Sequence, residues 1–350
     1  MTKPLFIILA NETPDDHKLW EQACKLKSYK LDYKVVNLTE NDWLKKIKSY
    51  KNVKYLLAKP PGISAILKQQ YDEKLIILRN HGHFNIFPSL EECLIYENKR
   101  FLAYWLEANN IPHPKTYVFY DKKEALESLS GKDLPLVGKV NIGASGSGVS
   151  ILKSKESVRD YIDMAFSGQG IKRRSGPNME KGGLIKRGLH YVLHLADIAK
   201  KLKKYQQVSQ DIQIGFVIFQ EFIPHTFEWR VVRIGDSFFA HKKIVSGNKA
   251  SGALLKGYEN PPFDLLDFVK NITDKHQFYS QAVDIFESDR GYLVNEMQCI
   301  FGQSDSYQML VDGKPGRYRF INKKWVFEEG DFASNQCYDL RLDYVLNKLL

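Results

Sequence analysis

The sequence predicts a mixed α/β fold, in which a doubly wound parallel sheet is followed by lobes of α+β type. Strand and helix patterns alternate through about the first 90 residues, an order that favours parallel strands joined by helices. From about residue 225 onward the chain is rich in strand patterns instead. Since 350 residues exceed what a single hydrophobic core usually supports, we expect two or three lobes.

The first lobe is predicted from short apolar runs that are separated by helical patterns. The run Leu5–Ala10 is too short for a signal peptide or a membrane span and favours a buried strand. The other predicted elements are helix Asp15–Tyr29, strand Lys34–Leu38, helix Asn41–Tyr50, strand Tyr55–Ala58 and strand Leu75–Leu78. The turn after the first strand lacks a GxGxxG pattern, so no dinucleotide site is predicted there.

Elements beyond the first lobe are predicted from caps, helix breakers and alternation. Ser89 and Glu92 have the spacing of a capping box at the start of a helix, which Pro112 and Pro114 bring to an end. The predicted strands are Thr116–Tyr120, Pro135–Val140, Val149–Leu152 and Phe216–Ile223, with helices at Lys122–Leu129 and from Glu156. The remaining predictions are a basic loop at Gly168–Gly183, helix Leu184–Tyr205, hairpin Arg317–Glu329 and helix Tyr338–Leu349.

The composition limits the partners that the chain is expected to bind. The formal charge of +10 favours anionic partners such as nucleotide phosphates or acidic metabolites, or simply reflects a lysine-rich surface. No recognised DNA or RNA motif accompanies this charge, so no nucleic acid is expected. The 4 cysteines form no CxxC pair, which argues against a zinc site and a disulfide framework and fits a reducing cytoplasm. No segment approaches the roughly 18 continuous apolar residues of a spanning helix, so no membrane association is expected.

A glycine-rich loop lies between two predicted strands and follows a lysine. Lys139 ends the first strand, and Gly143, Ser145, Gly146 and Gly148 lie in the loop that leads to the second. Glycines allow backbone N–H groups to approach phosphate oxygens, and a nearby lysine adds positive charge. The P-loop pattern GxxxxGK[ST] is absent. The loop therefore indicates either a phosphate site of another kind or a simple hairpin turn.

Three oxygen-bearing side chains lie on a predicted strand–turn–strand segment. Asp284 is predicted to close the first strand, while Glu296 and Gln298 lie two residues apart on the second. Residues i and i+2 share one face of a strand, so the three oxygen donors can converge as magnesium requires. The segment predicts magnesium bridged to nucleotide phosphates. Ordinary alternation of exposed polar residues is the alternative interpretation.

An apolar strand that ends at a proline is the third candidate feature. The run Phe216–Ile223 is followed by Pro224, which leaves a strand edge available for hydrogen bonds. An adenine ring needs an apolar slot and hydrogen bonds from such an edge, and Glu228 is placed to accept from ribose hydroxyls. A core strand followed by a surface glutamate is the alternative.

Together these segments resemble the ATP-grasp superfamily, whose members include D-alanine–D-alanine ligase, glutathione synthetase and biotin carboxylase. The resemblance covers nearly the whole chain and implies a Rossmann-like pre-ATP-grasp domain at residues 1–90, followed by an ATP-grasp domain at residues 91–350. Within the second domain, residues of about 115–220 would form the small nucleotide-clamping lobe. Residues of about 221–350 would form the metal-binding and C-terminal lobe, with ATP between the two.

The resemblance also assigns roles to individual residues. Those implied in ATP binding are Lys99, Lys139, Gly143, Ser145, Gly146, Gly148, Gln220, Glu221, Phe222, Ile223 and Glu228. The implied ligands of two magnesium ions are Asp284, Glu296 and Gln298. At the last position the family usually has asparagine, and glutamine extends the side chain by one methylene. Arg230 would contact the acyl phosphate, and Lys243 or its neighbour Lys242 would supply a further catalytic cation.

The activity implied by the resemblance is that of an ATP-dependent carboxylate–amine ligase. Such an enzyme activates an acid as an acyl phosphate and joins it to an amine, releasing ADP and phosphate. Small-molecule acid and amine substrates are therefore the expected partners, and a homodimer is compatible with the family. A kinase-like phosphotransferase acting on an amide, sugar or alcohol and a non-catalytic ATP-binding sensor are the alternatives.

Overall fold

A computed structural model of the chain describes residues 3–143, 147–173, 205–246, 249–250, 255–303 and 305–350, and elements are numbered along these residues. Ser145 and Gly146 lie outside the described residues. So does the predicted helix Leu184–Tyr205, apart from its last residue, and the part of the predicted basic loop from residue 174 onward.

The first sheet is parallel, and one of its inner strands is buried. Among the described residues its strands are β1 (Leu5–Ala10), β2 (Asp32–Asn37), β3 (Val53–Ala58) and β4 (Ile86–Phe87), in the order β2-β1-β3-β4. The connecting helices are α1 (Lys18–Leu26), α2 (Trp43–Ser49) and α3 (Ala65–Asn80). Phe6, Ile7 and Ile8 are fully buried, as expected for a strand covered on both faces. The predicted doubly wound lobe is confirmed.

The predicted strand at Leu75–Leu78 is wrong, because these residues lie inside α3. Leu75 and Leu78 are fully buried whereas Ile77 is exposed, which is the spacing of a helix face. A run of four apolar residues is compatible with either a helix or a strand when it is considered alone. The fourth strand is β4, which pairs with β3 through Leu56 and Ile86.

A broken helix leads from the first sheet to the rest of the chain. The predicted capping box is confirmed, since Ser89 and Glu92 exchange side-chain and backbone hydrogen bonds at the start of α4 (Leu90–Ile95). Glu97 then adopts a left-handed conformation with φ of 53°, which ends α4 and separates it from α5 (Lys99–Ala108). The sequence predicted one continuous helical pattern here.

The second sheet is antiparallel. Its strands are β5 (Thr116–Phe119), β6 (Leu136–Lys139), β7 (Val149–Leu152) and, after the short pair β8 (Ile171–Lys172) and β9 (Ile212–Gln213), β10 (Val217–Glu221). The order along the described sheet is β5-β10-β6-β7, with helices α6 (Lys122–Glu127) and α7 (Lys155–Phe166). The predicted strands and helices of this region are confirmed within a few residues.

The third sheet is the largest and is also antiparallel where its strands pair. Its strands are β11 (Phe227–Ile234), β12 (Ser237–Ser246), β13 (Lys249–Ala250), β14 (Lys256–Gly257), β15 (Ser280–Ser288), β16 (Gly291–Gln298), β17 (Leu310–Val311), β18 (Lys314–Ile321) and β19 (Lys324–Glu329). The main path through the described strands is β16-β15-β11-β12-β18-β17. The predicted hairpin about Asn322-Lys323 is confirmed as β18 and β19. Asp284 lies in the middle of β15, so the prediction that it closes the strand is wrong.

The last segment of the chain returns to the first sheet. Helix α8 (Phe263–Lys275) packs in the core of the third sheet, whereas α9 (Tyr338–Tyr344) joins the core of the first. Tyr338 makes an edge-to-face contact with Trp20 of α1, with ring centroids 4.9 Å apart. A single turn of π-helix at Val345–Leu349 follows α9, where the sequence predicted continuous α-helix. In the part of the chain that the structure describes, no helix is long and apolar enough to cross a membrane.

Candidate active site

One face of the third sheet gathers the charged residues that the sequence predicted as a site. Asp284 on β15 lies opposite Arg230 on β11 and opposite Glu296 on β16. Glu228 on β11 lies opposite Lys243 on β12. Directly opposed residues share one face of a sheet, and Glu228 and Arg230 are two apart on the same strand. The pairing of four strands therefore places these five side chains on a common surface.

Asp284 is at the centre of this charged surface and is held by two cations. Arg230 donates to it in a bidentate manner, from Nε to Oδ1 at 2.7 Å and from Nη2 to Oδ2 at 2.8 Å. Lys243 Nζ donates to Asp284 Oδ2 at 2.8 Å and to Glu228 Oε2 at 2.7 Å. Burial alone would raise the pKa of Asp284, but the charges of Arg230 and Lys243 lower it below its usual range. All three groups are therefore charged at neutral pH.

Lys243, and not Lys242, faces the site. Its side chain is buried between Glu228 and Asp284. Lys242 points to the other side of β12, where it pairs with Glu259 and lies 4.1 Å from the centroid of the Phe227 ring. Adjacent residues of a strand point to opposite faces, so the pairing of β12 with β11 decides which lysine enters the site.

A β-bulge adds a residue to the site that the sequence analysis missed. The register between β15 and β16 shifts after Asp284, so Asn295 is an extra residue between the paired Val294 and Glu296. Asn295 Nδ2 donates to Glu228 Oε1 at 3.3 Å, and its Oδ1 accepts from Lys139 Nζ at 3.0 Å. Strict alternation would turn Asn295 away from Glu296. No pattern in the single sequence marks this bulge.

Lys139 and Lys99 approach the charged surface from the second sheet and from α5. Lys139 ends β6 and is buried, and burial lowers the pKa of its ammonium group to about 8, with the Glu296 charge opposing and the Lys99 charge reinforcing this effect. Lys99 Nζ donates to the carbonyl oxygen of Gly143 at 2.8 Å and lies 3.8 Å from Glu296 Oε1. The two predicted phosphate-binding lysines are therefore brought together beside Glu296.

Glu97 is a further acidic group at this point and was also missed by the sequence analysis. Its left-handed conformation at the break between α4 and α5 turns its carboxylate toward β16, where Gln298 Nε2 donates to Glu97 Oε1 at 3.3 Å. Glu97 Oε2 lies 3.9 Å from Lys99 Nζ. Burial raises the pKa of Glu97, the Lys99 charge lowers it and the Glu296 charge raises it. Lys99 is thus placed between two carboxylates.

The glycine-rich loop packs closely against neighbouring residues at Gly143 and Gly148. A Cβ atom at Gly148 would lie 1.9 Å from Val140 Cγ2, and one at Gly143, whose φ is 149°, would lie 2.7 Å from Arg173 Cδ. Lys99 N and Arg100 N donate to the backbone and side-chain oxygens of Asn141, at 3.2 and 2.8 Å, which fixes the loop to the start of α5. Gly148 is therefore required by its close contact with Val140, and Gly143 by its positive φ.

The same sheet face becomes apolar at the end away from Gln298. Phe286 lies two residues after Asp284 on β15 and opposite Leu293 on β16, and both form a small buried cluster with Ile223. The ring of His225 lies against Phe286, with centroids 4.6 Å apart. An apolar floor beside a charged surface suits an adenine ring joined to phosphates.

The predicted ATP-binding residues from Gln220 to Ile223 connect the second and third sheets. Glu221 Oε2 accepts from Lys115 N at 3.0 Å, and its Oε1 accepts from Arg290 Nη2 at 2.8 Å. Gln220 is buried and donates from Nε2 to Thr116 Oγ1 at 3.1 Å. Phe222 and Ile223 follow directly and lead to the apolar cluster. The predicted ribose acceptor Glu228 is engaged by Lys243 and Asn295.

The predicted magnesium ligands fit a hard cation by their chemistry. Asp284, Glu296 and Gln298 offer oxygen atoms from one sheet face, the donor type that magnesium prefers. They are two carboxylates and one amide, and the described residues contain no group of three or more His, Cys, Asp or Glu side chains arranged for a metal. Both oxygens of Asp284 accept from Arg230 and Lys243, so an ion at Asp284 would share these oxygens with the cations or replace Lys243 there.

Solved structures with a similar fold cover nearly the whole chain. A RimK domain protein ATP-grasp from Sphaerobacter thermophilus DSM 20745 matches with a TM-score of 0.55 and 13% identity, over 98% of this chain and 100% of that one. An N5-carboxyaminoimidazole synthetase from Staphylococcus aureus, complexed with ADP, matches with a TM-score of 0.55 and 11% identity, over 100% and 79% of the two chains. D-alanine–D-alanine ligase from Bacillus anthracis matches with a TM-score of 0.50 and 14% identity, over 98% and 96%.

These matches establish the architecture of the chain, which has the ATP-grasp fold. The fold class predicted from the sequence is thereby confirmed. No protein-family model matches the chain, and no curated protein sequence matches it.

Proposed function

We propose that this protein is an ATP-dependent ligase that activates a carboxylate as an acyl phosphate and joins it to an amine, releasing ADP and phosphate. The observation that carries the proposal is the common surface on which Arg230, Lys243, Asp284 and Glu296 meet Lys99 and Lys139. The similarity of nearly the whole chain to D-alanine–D-alanine ligase and to N5-carboxyaminoimidazole synthetase supports it, because both names describe the joining of small molecules.

The nucleotide would lie along the face of the third sheet. Its adenine ring would contact the apolar floor of Ile223, Phe286 and Leu293, with backbone hydrogen bonds from Phe222 and Ile223. Its phosphates would then extend toward Lys99 and Lys139, together with the glycine-rich loop. Magnesium held by Asp284, Glu296 and Gln298 would supply neutralisation of the phosphate charge.

The reaction then depends on positioning and on charge, which are the main contributions of a protein to phosphoryl transfer. A carboxylate oxygen of the acid attacks the γ-phosphorus, and the bond to the β-phosphate oxygen breaks, so that ADP leaves. A neutral amine attacks the acyl carbon, phosphate leaves with the bonding electron pair, and the amine loses its proton to phosphate or solvent. Arg230 uses Nε and Nη2 to hold Asp284, and Nη1 is not used in that pair. This third donor would stabilise developing negative charge on the transferred group.

The proposal is tested by ATP turnover with pooled acids and amines in the presence of magnesium. We expect ADP and inorganic phosphate to appear only when an acid and an amine are both present. The products should be separated and the nucleotide identified as ADP or AMP. ADP accompanied by a stable phosphorylated product would replace the ligase proposal with a phosphotransferase. Tight ADP binding with no turnover in any pool would indicate a nucleotide sensor.

A further inference from the structure

Glu97 is held in a backbone conformation that a glutamate seldom adopts. Its φ of 53° lies in the left-handed region, where a residue other than glycine is uncommon and carries strain. The conformation separates α4 from α5 and turns the side chain, in a residue only 7% exposed, toward β16. Strained residues that persist in a fold are concentrated at functional sites, so the contacts of this carboxylate indicate what the strain achieves.

Both oxygens of the Glu97 carboxylate lie against residues of the candidate active site. Oε1 accepts from Gln298 Nε2 at 3.3 Å, and Oε2 lies 3.9 Å from Lys99 Nζ. Lys99 Nζ also donates to the carbonyl oxygen of Gly143 at 2.8 Å and lies 3.8 Å from Glu296 Oε1. Lys99 is therefore held by several acceptors, whereas Glu97 is the one hydrogen-bond partner of the Gln298 amide among the residues that the structure describes.

The side chains around Glu97 converge on one small space between α5 and β16. Glu97, Lys99, Glu296 and Gln298 all line a cavity of about 10 Å³, on the order of what one water molecule requires. The loop after β3 adds to this packing, because a Cβ atom at Gly62 would lie 3.0 Å from Glu97 Cγ. Glu97 is thus fixed beside two of the predicted magnesium ligands by contacts on more than one side.

The amide of Gln298 can serve a cation only in one of its two orientations. Its oxygen accepts and its nitrogen donates, and magnesium binds oxygen. An ionised carboxylate only accepts, so Glu97 takes the nitrogen and leaves Oε1 of Gln298 directed away from Glu97. Glutamine also has one methylene, and hence one rotatable bond, more than the asparagine that the ATP-grasp family usually has at this position. Fixing this extra bond costs conformational entropy unless a partner holds the amide in place.

We propose that Glu97 is a positioning residue of the magnesium site, which holds the Gln298 amide by its nitrogen so that the oxygen is presented to the cation beside Glu296. Partners that orient metal ligands in this manner contribute strongly to metal affinity. This inference rests on the proposed function, because the magnesium ligands are part of it. A glutamine with a carboxylate anchor here takes the place of the shorter asparagine.

The experiment uses Mn²⁺ as the probe, because it prefers the same oxygen ligands as magnesium and its binding is followed by electron paramagnetic resonance without turnover. Mn²⁺ is titrated into the chain saturated with ADP, and the signal of Mn²⁺ with ADP alone is the baseline. Glu97→Ala should weaken Mn²⁺ binding roughly 10- to 100-fold, the scale for losing the partner of a metal ligand. Glu97→Gln keeps an oxygen that accepts from Gln298 and should recover most of the affinity.

The control and the structural check use the same part of the chain. Glu107→Ala removes an exposed carboxylate from α5 and should bind Mn²⁺ as the native chain does. Alanine and glutamine at position 97 are both residues other than glycine, so neither variant relieves the left-handed strain. Urea unfolding shows whether each variant is folded. If Glu97→Ala does not fold, Glu97→Met keeps the volume, removes the acceptor and takes its place in the comparison.

A double-mutant cycle determines whether Glu97 acts through Gln298. Gln298→Asn shortens the side chain and withdraws the amide from Glu97. In this background Glu97→Ala should weaken Mn²⁺ binding by less than about twofold, because the contact has already been removed. An effect of Glu97 that is transmitted through Lys99 would instead have the same size in both backgrounds.

The outcomes separate this inference from the proposed function. Unchanged Mn²⁺ affinity in a folded Glu97→Ala variant would overturn the inference, and so would an equal loss in the native and Gln298→Asn backgrounds. A native protein that binds no Mn²⁺ with ADP would overturn the magnesium site together with the inference. The expected losses of Mn²⁺ binding without turnover of any acid and amine would overturn the ligase and leave the positioning role of Glu97 in place.

Discussion

The charged surface of the third sheet and the carboxyl edge of the first sheet differ in how their buried acidic groups are paired. Asp284 accepts three hydrogen bonds from two cations, and one of them, Lys243, also donates to Glu228. At the edge of the first sheet, just after β1, Glu12 Oε1 is buried and accepts none. The first region is internally satisfied, whereas the second leaves a buried carboxylate oxygen unpaired. Charge is therefore preorganised at the first region, whereas the second carries the energetic cost of an unpaired buried acceptor.

The largest effect should come from removing a carboxylate of the charged surface on the third sheet. Asp284→Ala leaves Arg230 and Lys243 buried without their shared carboxylate, which should lower the free energy of unfolding by about 3–5 kcal/mol. Urea unfolding at neutral pH measures this. The matched control is Glu329→Ala, which removes an exposed carboxylate that lies 3.0 Å from Lys314 and should cost no more than about 1 kcal/mol. Equal losses in the two variants would show that the Asp284 network has no special stabilising role.

The second-largest effect should be a loss of ATP turnover in a variant that still folds. Glu296 keeps partial exposure and contacts Lys99 at 3.8 Å, so Glu296→Ala should unfold no more easily than the native chain. Its ATP turnover should fall by about 10²- to 10³-fold or more, the scale of losing one charged contact in a transition state. Glu259→Ala, on the other side of the same sheet, should keep full turnover. Retained ATP consumption in a folded Glu296→Ala variant would contradict the proposed site.

A smaller effect should appear as a pH dependence of nucleotide binding. The pKa of Lys139 is lowered to about 8, so above this pH the free protein has largely lost the charge that would meet the phosphates. ADP affinity should then fall by up to about tenfold per pH unit above pH 8, while below pH 7 this group should contribute no pH dependence. Calorimetry in buffers of different ionisation enthalpy should also detect proton uptake on binding near pH 8. Arginine keeps its charge over this pH range, so the fall in ADP affinity should disappear in Lys139→Arg. A fall that persists in this variant would come from another group.

The smallest effect should be the change in stability when Glu12, at the edge of the first sheet, is substituted. The folded-state pKa of Glu12 is raised above its ordinary value, so its ionised form slightly destabilises the folded state at neutral pH. This penalty should diminish as the pH falls through the folded-state pKa. Glu12→Gln should therefore be neutral or stabilising by less than about 1 kcal/mol at pH 7, and the difference from the native protein should shrink at pH 4.5. Strong destabilisation at pH 7 would show that Glu12 makes contacts that the fold requires.

Most of the architecture could be predicted because local patterns and tertiary structure agree. The capping box at Ser89 and the hairpin about Asn322-Lys323 are local devices whose residues are adjacent in sequence. The run at Leu75–Leu78 shows the limit, because four apolar residues fit a strand or a buried helix face equally well. Only the burial of Leu75 and Leu78 together with the exposure of Ile77 distinguishes the two.

Some residues of the candidate site could also be predicted from the sequence, and others could not. Lys139, Asp284 and Glu296 were predicted from motifs in the sequence and Arg230 from the family resemblance, and the structure brings them to one surface. Their individual roles in ATP binding, metal binding and catalysis stay predictions until the variants above are measured. Asn295 could not be predicted, because its place in the site depends on a bulge in the pairing of β15 with β16.

The sequence by itself determined the mixed α/β class and most of the helices and strands, because hydrophobic periodicity, caps and glycine spacing act over short stretches of chain. The ATP-grasp architecture and the residue types of a nucleotide site were implied by the resemblance that its motifs carry. Only the tertiary structure decided that Lys243 faces the site and Lys242 does not, that Glu97 turns toward Gln298, and that Tyr338 packs against Trp20 in the core of the first sheet. These choices depend on strand register, on one left-handed residue and on the return of the C-terminal helix to the first core. Each is a contact between residues far apart in the chain, for which a single sequence carries no local signal.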